Sequence, residues 1–197
     1  YLRNVHRFTL KNGLILLVRE DANVETVAIR TVFPGGLRSE NEMTNGAFAF
    51  IAELFPKATE TLTARELAVQ IADMAGNLSG FNGKNTFGLK GDFLARYFAP
   101  AMALVRDVIV TPAFDPAEAE KIRPELLAQL KHQEDSLPSL AFREFNRLLF
   151  QGHPYGLNTL GAEASLARLK VAELEAIYKE HARPDKMVLS VAGAVKA

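Results

Sequence analysis

Residues 45–59 read NGAFAFIAELFPKAT, and within residues 47–55 the only charged side chain is that of Glu53. The spacing predicts a helix over residues 44–55, apolar nearly all round and ended by Pro56. Such a helix has no face suited to water, so it belongs inside the domain with other elements around it. Glu53 then sits either at an exposed edge or in a polar pocket. The chain has 197 residues, almost half of them apolar. That is enough for a core that can surround one helix.

The flanking sequence says what surrounds it. Asn12-Gly13 separates the short runs 7–11 and 14–20, a hairpin signal. Leu14, Leu16 and Val18 fall on one face of the second strand and Ile15 and Leu17 on the other, so this strand is expected to be covered on both sides. Residues 25–33 alternate as a strand and stop at Pro34-Gly35-Gly36. Residues 37–43 read as a polar connection. Thr63 and Glu66 form a capping box for a helix that Gly76 stops. Asn82-Gly83 marks a second hairpin, between strands 77–81 and 84–92. Helices are expected over 94–110, from the Asp115-Pro116 cap to about 135, from Pro138 to 150, and over 164–169 and 171–181. Residues 187–195 read as a last strand. Hairpins without βαβ alternation imply an α+β fold, an antiparallel-dominated sheet with helices packed on one face. No internal repeat or low-complexity segment is visible.

Several function classes drop out. Lys and Arg number 23 and Asp and Glu 23, so charge makes no case for nucleic acid or an anionic membrane. No apolar run is long enough for a membrane span. The first residues, YLRNVHRFTLKNGL, lack the apolar stretch of a signal peptide. There is no cysteine, which removes disulfides, thiol catalysis and Cys-zinc sites. The glycine turns match neither a P-loop nor a dinucleotide fingerprint, and no G-x-S-x-G elbow surrounds Ser79. His6, His132, His153 and His181 are too far apart in sequence for a short metal motif. His153, before Pro154 and Tyr155 on a turn-rich loop, reads as structural, and His132 as solvated. Gln129, seven residues after Ile122 and three after Leu126, is placed on the inward stripe of its helix. Glu53 and Gln129 are therefore expected to face each other, directly or through water.

Seven segments in one order carry a resemblance over essentially the whole chain. They are TLKNGLILLVRE, the strand ending at Gly35-Gly36, NGAFAFIAELFPKAT, GNLSGFNGKNTFGL, PAFDPAEAEKIRPELLAQLKHQEDSL, the HPYG…LG loop and MVLSVAGAV. Together they resemble a domain of the insulinase family, which includes pitrilysin and the mitochondrial processing peptidases. The resemblance implies the processing-peptidase-like metallohydrolase fold. Active members carry H-x-x-E-H on the first core helix, two zinc-binding histidines and a general-base glutamate, with a further glutamate ligand on a later helix.

The family frame aligns here without a gap, through Asn45, Gly46, Lys57 and Thr59. It places Ala49 at the first histidine, Ala52 at the general base, Glu53 at the second histidine and Gln129 at the third ligand. All four depart from the catalytic pattern, so no catalytic or metal-binding residue is carried over, and these are vestigial positions. The resemblance thus implies a non-catalytic domain that pairs with a catalytic insulinase-type domain, in the same chain or a partner subunit, to close a chamber around a peptide substrate. Zinc is expected in that partner domain and no cofactor in this chain. The hairpin 77–92 occupies the region where relatives bind peptide by strand addition. Two rivals are a zinc site in rearranged form and a stand-alone peptide-binding scaffold. Residues 1–197 are read as one domain of a longer tandem protein, because the chain opens on the first strand and closes on the last. A bacterial periplasm or cell envelope suits the resemblance.

Overall fold

The computed structural model describes residues 4–197. Strands β1 (Val5–Thr9) and β2 (Ile15–Glu20) form the first hairpin. Strand β3 (Thr26–Pro34) leads to helix α1 (Ala47–Leu54), then α2 (Ala64–Asp73). The second hairpin is β4 (Asn77–Asn82) with β5 (Thr86–Leu94). Helices α3 (Phe98–Val110), α4 (Pro116–Glu134), α5 (Leu137–Leu149), α6 (Glu163–Arg168) and α7 (Val171–His181) follow, and β6 (Val188–Gly193) returns to the sheet.

Among the described residues, six strands form one sheet in the order β1-β2-β6-β3-β5-β4. Every pairing is antiparallel except β2 with β6. The expected α+β fold with a mainly antiparallel sheet is what forms. The parallel pair arises because β6 inserts between β2 and β3, with Val191 opposite both Val18 and Ile29. Alternation along β3 turns Val27, Ile29, Thr31 and Phe33 to the buried side, and β5 adds Phe87, Leu89 and Phe93. Helix α1 packs on β4 and β5 and is flanked by α4 and α7. Every residue of α1 except Glu53 is buried, as an all-round apolar helix requires. Phe48 meets Phe87 at 5.0 Å between ring centroids, and Phe55 meets Tyr178 at 5.2 Å. The Tyr178 hydroxyl, its pKa pushed up by burial, donates to the Ile109 carbonyl at 2.8 Å.

Some expectations are corrected. Strand β2 is only half covered, with Val18 its one buried residue, because the helices pack chiefly on β4 and β5, toward the other edge of the sheet. The helix expected from residue 94 begins at Phe98, since β5 continues to Leu94 and a 3-10 turn (Ala95–Tyr97) intervenes. The polar connection 37–43 is not simply solvated. Leu37 and Glu40 are buried there, for a reason that belongs to the site.

Candidate functional site

Helix α1 begins after Gly46, whose φ of 94° is the left-handed conformation that glycine tolerates best. Gly46 offers the helix no side-chain cap. Glu40 reaches in instead. Its carboxylate accepts from the Gly46 and Phe48 backbone N–H groups and from Asn45 Nδ2, each at 2.9 Å. Free N–H groups at a helix start favour an anion. Burial nonetheless raises the Glu40 pKa above the ordinary glutamate range, and the three hydrogen bonds pull it only part of the way back.

A strap holds the same end of α1. The Asn158 carbonyl accepts from Asn45 Nδ2 at 2.8 Å, and Asn158 Nδ2 donates to Gln133 of α4 at 2.7 Å. The Thr159 carbonyl accepts from Asn82 of β4 at 3.2 Å. Ser165 Oγ donates to the Asn45 carbonyl at 2.5 Å. Gly161 approaches so closely that a Cβ on it would lie 2.7 Å from Gly46 Cα. One segment therefore ties α1, β4 and α4 together around the candidate site. Arg123 adds a second tie. Its guanidinium donates to the Leu166 carbonyl and, at 2.9 Å, to that of Leu169, and it lies 5.2 Å from the Phe50 ring.

Ala49 and Ala52 are each only 3% exposed. The Ala52 backbone lies on Gly80 of β4, where a Cβ would meet the Ala52 carbonyl oxygen at 1.8 Å. Glu53 is the exposed residue of α1, which decides between the edge and the pocket in favour of the edge. Gln129 is exposed too, so its inward placement is corrected. The buried stripe of α4 is Ala119, Ile122, Leu126 and Leu130. Gln129, one position before Leu130, turns off the side of that stripe. No hydrogen bond joins Glu53 to Gln129 among the described residues, so they do not form a buried pair. Among these residues no group of three or more His, Asp or Glu side chains could hold a metal ion. His153 is a turn residue. Its Nδ1 accepts from the Tyr155 N–H at 3.1 Å, and the two rings stack edge-on.

Residues 15–163 match the family model described as Insulinase (Peptidase family M16). The chain belongs to the insulinase family. Over 189 residues it is 26% identical to a protein of Bacillus subtilis described as the uncharacterized zinc protease YmxG, covering 96% of this chain and 46% of that protein. The fold matches a crystal structure of a peptidase M16 inactive domain from Pseudomonas fluorescens with a TM-score of 0.90 and 19% identity, over 98% of this chain and 47% of that one. It also matches the periplasmic protease PqqL of Escherichia coli, with a TM-score of 0.88 and 14% identity, over 99% of this chain and 22% of that one. The chain spans about half the length of the curated relatives that it matches.

Zinc protease relatives raise the question of whether this insulinase-family chain could hold zinc where its α1 and α4 meet. The side chains at the aligned positions are two methyl groups, one exposed carboxylate and one exposed neutral amide. That set does not fit a metal that takes three protein ligands at catalytic sites and favours imidazole. No step through zinc is derived for this chain. The residues that sequence reasoning missed are Glu40, Asn158 and Arg123. Their partners lie between five and more than a hundred positions away, beyond any local pattern. Among the described residues no helix is long and apolar enough to cross a membrane.

Proposed function

We propose that this chain is a non-catalytic insulinase-type domain. It pairs with a zinc-bearing catalytic domain, in the same chain or in a partner subunit, and supplies part of the wall and binding surface that enclose a peptide substrate. The observation that carries the reading is the donor set at the aligned positions. Ala49 and Ala52 are buried methyls that can neither bind zinc nor activate water, while Glu53 and Gln129 are solvated and unbonded to each other. The architecture around them is intact, so the loss is of chemistry and not of fold. Strand β4 lies at an edge of the sheet, where backbone groups are available to an added peptide strand. On the family resemblance, we place it in a bacterial periplasm or cell envelope.

The test is metal content. The chain is incubated with excess zinc, dialysed against a weak chelator, and assayed for zinc and for cleavage of an unstructured peptide. The expected result is far less than one zinc per chain and no cleavage. Stoichiometric zinc that survives dialysis would overturn the reading in favour of a rearranged metal site.

A further inference from the structure

Helix α5 is amphipathic in the opposite sense to a core-facing helix. Leu137, Phe142, Phe145, Leu148 and Leu149 are exposed by 79, 70, 59, 58 and 59%, and no residue of the helix is buried. At 100° per residue these five side chains fall on one face. The opposite, largely polar face is turned toward the body. Ser139, Arg143 and Asn146 line a cleft of about 310 Å³ shared with Gln133 and Thr159. Arg143, Glu144 and Arg147 line a second, of about 530 Å³. Arg143 bonds Glu134 of α4 at 3.4 Å, and the last turn rests on the 3-10 turn Pro154–Gly156. The helix thus stands off the body over two clefts of mixed lining, with Phe142 at the edge of the first and the rest of its apolar side outward.

We infer that this outward face of α5 is the surface on which the chain docks a second domain of the same fold. The inference rests on the reading above, that this domain works as one of a pair, and assigns the contact to particular residues. Two observations support it. The five side chains present apolar surface on the order of 600 Å², at the top of the roughly 300–600 Å² of the largest patch on a typical monomer. It is also most of the ~800 Å² that each partner gives to a standard interface. The second observation is length. The relatives matched nearly end to end by this chain are about twice as long, so this fold is accompanied in them by a further stretch of similar size.

The experiment uses the whole chain and, as probe, a purified insulinase-type domain with an intact H-x-x-E-H motif from the same organism. Binding is measured by sedimentation velocity for the wild type, for Phe142→Asp/Phe145→Asp and for Val69→Asp, the last altering an exposed apolar residue on α2. Both aspartate variants should fold, since they alter exposed positions, and far-ultraviolet circular dichroism checks this. The expected result is a one-to-one complex that Val69→Asp retains and the α5 variant weakens by about 100-fold or more. Equal binding by the α5 variant would overturn the assignment to α5 and leave the pairing reading standing. Absence of a complex with the wild type would sink both. Self-association of this chain that the α5 variant abolishes would give the face to a second copy and overturn the assignment to a sister domain.

Discussion

At the scale of single residues, Glu40 decides how the central helix begins. A carboxylate can accept all three hydrogen bonds at once, from the Gly46 and Phe48 N–H groups and from Asn45. In Glu40→Gln the amide nitrogen becomes a donor facing donors, so at least one buried N–H loses its acceptor. That costs about 1–3 kcal/mol, and a lower melting temperature at neutral pH should report it. The pH dependence has a definite sign. Burial raises the folded-state pKa of Glu40 above its ordinary 4.5. Folding therefore favours the protonated carboxyl: the increment of stability this gives is fully present below that value and is lost as pH rises through the folded-state value, leaving the hydrogen bonds of the carboxylate at neutral pH. Glu40→Gln should flatten this part of the curve. Urea unfolding of both proteins from pH 4 upward checks it, and parallel curves would refute the assignment. Glu40 was invisible in the sequence because its segment reads as an ordinary polar connection. Glu53 and Gln129 were located in sequence but not in depth. Helical spacing gives a side chain's direction only to within some tens of degrees, and Gln129, at the margin of the stripe formed by Ile122, Leu126 and Leu130, falls on its solvent side.

At the scale of elements, the all-apolar pattern of α1 was enough to place it at the centre, because a helix without a polar face has nowhere else to go. The hairpins were legible for the same local reason, through their Asn-Gly turns. What the pattern could not show is how closely α1 sits on β4. Gly80 falls within a strand in the pattern and in the structure, but nothing local shows that the Ala52 carbonyl lies where its Cβ would be. Gly80→Ala places a methyl group 1.8 Å from that oxygen and 2.7 Å from its carbon. The neighbour is backbone on both sides, so no rotamer can relieve the contact and α1 must lift off the sheet. Destabilisation of about 3 kcal/mol or more is expected, at the upper end of overpacking. Thermal unfolding measures it, and a loss under 1 kcal/mol would mean that α1 and β4 are not this close in solution. Helix α5 is the counter-example. Its strong two-sided pattern predicts that it forms, but not that its apolar side faces away from the domain. Periodicity identifies a face that wants cover without saying which body supplies it.

At the scale of the whole molecule, the sheet is closed by the last element of the chain. Strand β6 lies between β2 and β3, with Leu16 and Thr31 both opposite Leu189. Among the described residues, the strands of the first hairpin pair with the rest of the sheet only through β6. No sequence pattern announces this, because the partners lie at opposite ends of the chain and register is settled by tertiary packing. The topology has a consequence for stability. A two-stranded hairpin is marginal in water on its own, and removing β6 strips cover from Ile29, Thr31 and Val18 together. A chain ending at Lys186 should thus lose more than one strand's share of stability. It is expected to show no cooperative urea transition and a collapsed amide NMR spectrum, with the amides of β1 and β2 exchanging at unprotected rates. A truncated chain that unfolds cooperatively, with protected amides in β3 and β5, would show instead that the β3-β5-β4 part with its helices is an independent unit. In that case the first hairpin and β6 would be an addition to the core, and the aligned positions on α1 and α4 would stand on a smaller scaffold than the sheet order implies.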